Sequence, residues 1–234
     1  MQLVIGNKNY SSWSMRPWLL MRGFELPFEE VRVRFDSFDA GSRFKQTLLG
    51  YTPTGRVPVL VDGDLRVWDS LAIAEYLAER FPQHAMWPRD AAARARARCV
   101  CAEMHGGFSA LRSHFPVNIE ARLPEVGARV LAHEPQVVAD LQRIEAIWTD
   151  ALSASGGPFL FGAFGIADAY FAPVATRLRT YGVAVSPEAE AWIDRLYATP
   201  ALQQWVAEAL AERDFLVFEE PYRSAAEAGH GPAA

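Results

Sequence analysis

The sequence predicts a small mixed α/β domain followed by an all-helical domain, and two observations carry that prediction. Strand and helix signals alternate over the first 80 residues, whereas helical signals fill nearly all of the chain after residue 90. Between them, FPQHAMWPRD has two prolines in ten residues, which is typical of a linker. We therefore expect an α/β domain over 1–80, a linker over 81–89, a helical domain over 90–222 and a disordered tail over 223–234, which lacks large apolar side chains.

Within the first domain, the predicted order is strand, helix, strand, an irregular stretch, and then two strands and a helix. LVI at residues 3–5 predicts the first strand, and PWLLMRGF continues into a helix that Gly23 can end. FEEVRVRF places apolar side chains near a period of two, which predicts the second strand. VPVLVDGDLRVW has valines on both sides of an Asp-Gly turn and predicts a β-hairpin, after which Ser70 opens a helix as its N-cap.

In the second domain we expect helices only. Apolar residues at helical spacing predict one long helix over 90–115, then helices at 141–152 and at about 166–181, 187–198 and 199–212. Near 166, Gly165 holds the cap position and Asp168 follows three residues later, as in half of a capping box. We therefore interpret Asp168 as a folding residue.

Composition excludes several classes of function. The formal net charge of -5 argues against a dedicated nucleic-acid binder, which would carry a basic balance. The sequence has no run of about 18 apolar residues and no secretory leader, so we expect neither a membrane protein nor a secreted one. Cys99 and Cys101 are the only cysteines, and this usage fits a reduced, cytoplasmic location. The five histidines form no metal-binding motif, and no nucleotide-binding motif occurs, so no metal is expected.

The stretch TPTGRVPVL, residues 52–60, sets a proline directly before the predicted hairpin. A proline at this point removes an amide donor, and in the cis form it makes a tight turn that frees the backbone of the preceding residue for an outside partner. Val57 and Pro58 hold these two positions. An ordinary proline of an edge strand is the alternative interpretation.

The stretch WDSLAIAEYL, residues 68–77, begins a helix with an acidic residue and a serine. The first N–H groups of a helix and a serine hydroxyl beside them attract an anion. The carboxylate of Asp69, one residue earlier, can bind an ammonium group. A ligand with both a carboxylate and an amine would therefore suit Asp69 and Ser70, although a simple N-cap would also explain the serine.

The third stretch is YSSWSMRPWLL, residues 10–20. With this stretch, the chain resembles the cytosolic glutathione S-transferases over about residues 1–220, a family with a thioredoxin-like N-terminal domain and an all-α C-terminal domain. Ser11 and Arg16 have the spacing of the serine- and cysteine-type classes. SSWSMR most resembles the zeta motif Ser-Ser-Cys-Ser-Trp-Arg, a class that includes maleylacetoacetate isomerases, and Trp13 stands where that motif has cysteine.

This resemblance implies that glutathione is the co-substrate and that the first domain binds it. The backbone of Val57, before a cis Pro58, would pair with the cysteinyl part of glutathione. Arg56 would bind the glycyl carboxylate. Asp69 and Ser70 would bind the γ-glutamyl end.

The resemblance also implies the chemistry. Ser11, with Ser12 beside it, would donate a hydrogen bond to the glutathione thiolate, which attacks a small hydrophobic electrophile. Four residues are weaker candidates for the electrophile pocket: Trp13, His105, Phe108 and Arg112. We expect a cytoplasmic, homodimeric transferase of detoxification. A glutathione-dependent cis-trans isomerase and a non-catalytic binding or regulatory protein of the same fold are the alternatives.

Overall fold

The N-terminal part of the chain is a four-stranded sheet with helices. The computed structural model describes residues 1–229 of the 234. The strands lie in the order β2-β1-β3-β4, with β1 parallel to β2 and antiparallel to β3. A parallel pair needs a crossover connection, and the first helix supplies it. The strands are β1 Gln2–Ile5, β2 Glu29–Arg32, β3 Val59–Asp62 and β4 Leu65–Val67.

The sheet and hairpin confirm the predicted strands, with shorter bounds. The second strand covers only Glu29–Arg32 of the predicted stretch, and the hairpin strand begins at Val59. Gly63, at φ +58, makes the turn between β3 and β4 as the Asp-Gly signal predicts. The helices of this part are α1 Ser12–Gly23, α2 Arg43–Leu49 and α3 Ser70–Arg80.

Two details of this part differ from the prediction. The stretch predicted as irregular contains α2, whose N-cap Ser42 accepts a hydrogen bond from the Lys45 N–H. This helix buries only Phe44 and Leu48, too few apolar positions for a periodic signal. The N-cap of α3 is Asp69 and not Ser70, because the carboxylate of Asp69 accepts the Leu71 N–H at 2.9 Å.

The rest of the described chain is helical, as predicted. Its helices are α4 Ala91–Gly106, α5 Ser109–His114, α6 Pro124–His133, α7 Pro135–Ser155, α8 Ile166–Tyr181, α9 Pro187–Tyr197 and α10 Pro200–Glu212. The single helix predicted over 90–115 is wrong, because the chain breaks after Gly106 and Phe108 takes a left-handed conformation at φ 59. Two consecutive glycines lower the cost of ending α4 there. No helix within residues 1–229 is both long and apolar enough to cross a membrane.

Helix α8 forms the centre of the helical part and packs against α1, α4 and α6. Nearly all of its residues are buried. At its start, Asp168 is 1% exposed and accepts hydrogen bonds from the N–H groups of Leu160 and Gly165 and from the indole of Trp192, at 3.0, 3.0 and 2.8 Å. Burial raises the pKa of Asp168 to about 6. These bonds fit the interpretation of Asp168 as a folding residue.

The loop between β1 and α1 is anchored by the far end of the chain. The side chain of Lys8 is 3% exposed, and its ammonium lies 2.6 Å from Glu30 and also bonds Glu208 of α10. The backbone N–H of Lys8 donates to Glu212 at 2.8 Å. The loop that leads into α1 therefore depends on the last helix.

Of the predicted tail, residues 230–234 lie outside the described residues. Residues 223–229 are described, and the guanidinium of Arg223 lies 2.6 Å from Glu220 and 3.3 Å from Glu120.

Candidate functional site

A cavity of about 470 Å³ opens between the loop before β3, the starts of α1 and α3, and the last turn of α4. Seven residues that the sequence singled out line it: Trp13, Arg56, Val57, Pro58, Asp69, Ser70 and His105. The three sequence motifs thus meet in one cavity, together with α4 from the helical part. The cavity wall does not include Ser11, Ser12, Phe108 or Arg112.

A larger groove, of about 660 Å³, lies between the start of α4 and the end of α7. Four alanines line it, together with the charged residues Arg89, Arg96 and Asp150. None of the three motifs reaches it. The groove is larger than the cavity, but it lacks the residues on which the predicted chemistry depends.

Val57 and Pro58 form one wall of the cavity. Their peptide bond is cis, as the resemblance implies. The antiparallel ladder of β1 and β3 begins at Val59, two residues later, and the backbone of Val57 makes no hydrogen bond with the described residues. Its N–H and C=O therefore remain available to an extended partner.

The start of α3 forms the opposite wall. Asp69, the N-cap, has a side chain that is 53% exposed, whereas Ser70 is buried. The hydroxyl of Ser70 lies 3.1 Å from the phenol oxygen of Tyr170 on α8, and either group can be the donor. An acidic group and the positive end of a helix dipole therefore lie side by side in the cavity.

His105 connects this wall to the helical part. Its Nε2 lies 3.0 Å from Asp69 Oδ2, and its Nδ1 lies 3.5 Å from the Tyr170 hydroxyl. Burial raises the pKa of Tyr170 well above its ordinary value, so the phenol stays protonated. Ser70, Tyr170, His105 and Asp69 thus form a continuous polar chain from α3 through α8 and α4.

Arg16 is buried against the cavity-lining Trp13, and no carboxylate of residues 1–229 forms an ion pair with its guanidinium. The residue is 2% exposed, and its guanidinium lies 4.3 Å from the ring centre of Trp13 and 4.6 Å from that of Tyr170. Its Nε donates to the Tyr170 carbonyl at 3.3 Å, but its Nη1 has no hydrogen-bond partner among the described residues. Burial lowers the pKa of Arg16 to about 10.

The remaining electrophile-pocket candidates, Phe108 and Arg112, do not line the cavity. The guanidinium of Arg112 lies 4.9 Å from the ring centre of Trp13. Phe108 is 7% exposed and precedes α5. Arg112 also donates to the backbone carbonyl of His105 at 3.2 Å, so it supports two cavity-lining residues, Trp13 and His105, without lining the cavity itself.

The serines at the start of α1 have different surroundings. Ser11 is 5% exposed and caps α1, since its Oγ accepts the Ser14 N–H at 3.3 Å and donates to Ser14 Oγ at 2.7 Å. Ser14 is fully buried and accepts the Gly6 N–H at 3.1 Å. Ser12, the first residue of α1, is half-buried, and its hydroxyl has no hydrogen bond to the rest of residues 1–229.

Sequence reasoning missed four residues of the site. Thr54, Trp68 and Ala72 line the cavity, and all three lie within the stretches 52–60 and 68–77 that the sequence singled out. Tyr170 touches Ser70 and His105 from α8. The only sequence signal for Tyr170 is a phenol inside a helix of small and apolar residues, and core tyrosines give the same signal. No group of three or more His, Cys, Asp or Glu within residues 1–229 is arranged to hold a metal ion.

Comparison with known proteins agrees with this geometry. The chain is 29% identical to maleylacetoacetate isomerase from Pseudomonas aeruginosa over 217 residues, which cover 87% of this chain and 94% of that protein. It is 37% identical to glutathione S-transferase 1 from Dianthus caryophyllus over 95 residues, and this match spans only 41% of that protein's length. A crystal structure of a glutathione transferase homologue from Burkholderia, with bound glutathione, superposes with a TM-score of 0.67 at 25% identity and covers 89% of this chain and 97% of that one.

The sequence models of two domains match most of the chain. The glutathione S-transferase N-terminal domain matches residues 10–80, and the C-terminal domain matches residues 90–208. The 29% identity to an isomerase is consistent with the resemblance of this chain to the zeta class. The chain therefore belongs to the glutathione S-transferase family.

Proposed function

We propose that the protein is a glutathione-dependent transferase in which a serine hydroxyl at the start of α1 stabilises the glutathione thiolate. One observation carries the proposal: the cavity joins a free strand-like backbone at Val57 to a helix N-terminus with a carboxylate at Asp69. The backbone of Val57 suits the middle residue of an extended γ-glutamyl tripeptide, and Asp69 with the start of α3 suits its γ-glutamyl end.

In the proposed complex, the cysteinyl part of glutathione pairs with the backbone of Val57. The ammonium of the γ-glutamyl group binds Asp69, and its carboxylate accepts from the first N–H groups of α3, beside Ser70. Arg56, which is exposed beside Val57, binds the glycyl carboxylate. This orientation directs the thiol toward the first turn of α1, where the serines lie.

Ser12 is the better candidate for the thiol partner. The hydroxyl proton of Ser11 is used inside the fold, in the bond to Ser14 Oγ. Ser12 is half-buried, and its hydroxyl lacks a partner among the described residues. A hydroxyl donor and the N-terminal dipole of α1 both favour a thiolate over a thiol of ordinary pKa about 8.5. We therefore propose Ser12 as the donor and Ser11 as the cap that orients the turn.

A second candidate function uses the same thiolate. The similarity to maleylacetoacetate isomerase favours a glutathione-dependent cis-trans isomerase, in which the thiolate adds to a conjugated double bond and later leaves. In that isomerisation the glutathione is regenerated, whereas a transfer reaction consumes it. Glutathione consumption therefore separates the two functions.

The test of the proposed function is a binding and turnover assay. We expect retention on immobilised glutathione and conjugation of chlorodinitrobenzene, with kcat reduced about 100-fold in S12A. S153A, at an exposed serine of α7, is the matched control and should keep full turnover. Binding without conjugation or isomerisation would favour the non-catalytic alternative. Full turnover in S12A together with its loss in S11A would return the role to Ser11.

We also propose, from family membership, that the protein acts in cytoplasmic detoxification as a homodimer. Light scattering on the purified protein should give twice the mass of one chain. A monomer that retains turnover would contradict the assembly.

A further inference from the structure

The contact between His105 and Asp69 joins the end of one helix to the start of another. His105 lies in the last turn of α4, and Asp69 is the N-cap of α3. His105 Nε2 lies 3.0 Å from Asp69 Oδ2, while the Leu71 N–H donates to Oδ1 at 2.9 Å. Both carboxylate oxygens are therefore oriented by the chain. Each oxygen still has capacity for a further donor.

The imidazole of His105 is itself held from two sides. The Trp13 ring meets it edge-on, with ring centres 5.2 Å apart. The Tyr170 hydroxyl lies 3.5 Å from Nδ1, at the long end of the hydrogen-bond range. In the tautomer that satisfies both polar contacts, Nδ1 accepts from Tyr170 and Nε2 carries the hydrogen that it donates to Asp69.

This arrangement orients the Asp69 carboxylate. While the Leu71 N–H donates to Oδ1, the imidazole donates a hydrogen bond to Oδ2. Without that bond, a side chain that is 53% exposed would be fixed only at Oδ1. An oriented carboxylate binds a cation more tightly because less motion is lost on binding.

We propose that His105 is a positioning residue for the amine of the γ-glutamyl group, and that it makes the cavity selective for thiol peptides with a free α-amine at that end. This inference rests on the proposed function, since it assumes that glutathione occupies the cavity. It assigns to the helical part a share of glutathione recognition. The sequence alone offered His105 only as a weak candidate for the electrophile pocket.

The test compares glutathione with its deamino analogue, in which a hydrogen atom replaces the α-amine. Wild type should bind glutathione at least about tenfold more tightly than the analogue, measured by calorimetry. H105A should lose about five- to tenfold in glutathione affinity and stay within about twofold for the analogue. H105Q, whose side-chain amide can donate to Asp69, should recover most of the loss. The electrophile KM should not change in either variant.

H114A is the matched control, because His114 also faces a carboxylate, that of Glu134 at 3.7 Å, but lies outside the cavity. It should bind both peptides as the wild type does. An equal loss of both peptides in H105A, or no loss of either, would overturn the inference. If H105A does not fold, the test uses H105Q. A folded H105Q that binds glutathione no more than about twofold more tightly than the deamino analogue would also overturn the inference. Failure of the wild type to bind glutathione would overturn the proposed function as well, and it is seen before any variant is made.

Discussion

Asp69 and Asp168 are both aspartates at helix N-termini, yet their surroundings differ in the number of donors and in exposure. Asp168 is 1% exposed and receives three N–H donors from the chain itself. The side chain of Asp69 is 53% exposed and receives one backbone donor and one imidazole. The fold supplies the Asp168 carboxylate with its hydrogen-bond donors. The Asp69 carboxylate lines the cavity and can accept further hydrogen bonds from a ligand.

The difference shows how one sequence pattern serves two purposes. Both aspartates satisfy orphan N–H groups near a helix start, which is a local requirement of the backbone. Only the tertiary surroundings decide whether any capacity remains for a ligand. The following predictions separate the two roles by substitution at each position.

The largest effect is expected from D168A. It would leave the N–H groups of Leu160 and Gly165 and the indole of Trp192 buried without an acceptor, so the free energy of unfolding should fall by about 3–5 kcal/mol. Urea denaturation measures the loss. The remaining folded protein should bind glutathione with unchanged affinity. A loss below about 1 kcal/mol would contradict the role assigned to Asp168.

The second effect is a pH dependence of stability that originates at Asp168. Burial raises its folded pKa from 3.8 to about 6, so the native state binds this proton more tightly than the unfolded chain does. The stability from this group is full below about pH 4 and is lost as pH rises through about 6. Between these values, wild type should lose on the order of 2 kcal/mol relative to D168N. If the free energy of unfolding depended on pH in the same way in both proteins, the three hydrogen-bond donors would offset the effect of burial on the pKa of Asp168.

A smaller effect is expected from D69N, which keeps the cap and removes the charge. Asn is as good an N-cap as Asp, so the free energy of unfolding should change by less than about 0.5 kcal/mol. Glutathione affinity should fall about tenfold, because a charge-assisted bond to the ammonium is lost. Calorimetry and urea denaturation on one preparation give both values. A variant that loses stability but retains affinity would make Asp69 a structural residue like Asp168.

Much of the fold followed from local signals in the sequence. The Asp-Gly turn at Gly63 and the periodic helices of the second part are local features, and the structure confirms them. The break at Phe108 was not predictable, because apolar spacing continues across two glycines that a helix can tolerate. Helix α2 was not predicted, because seven residues with two buried side chains give no clear hydrophobic period.

The candidate site was predictable where one motif carries the chemistry and not where distant elements meet. Val57 with Pro58 and Asp69 with Ser70 are adjacent pairs, and each pair lines the cavity. The contact of His105 with Asp69 and that of Tyr170 with Ser70 join residues that are far apart in sequence. Ser11 and Ser12 differ because α1 begins between them: Ser11 is its N-cap and bonds Ser14, and Ser12 is its first residue. The sequence SSWS alone does not show at which serine the helix begins.

The anchoring of Lys8 by Glu208 and Glu212 has a consequence for the order in which the molecule is assembled. The bond from the Lys8 N–H to Glu212 spans 204 positions of the chain. Contacts of such separation form late, because the intervening chain must first be ordered. During synthesis the loop before the serines can therefore reach its final conformation only after α10 has been made. A fusion or cut near residue 208 would disturb the opposite end of the polypeptide.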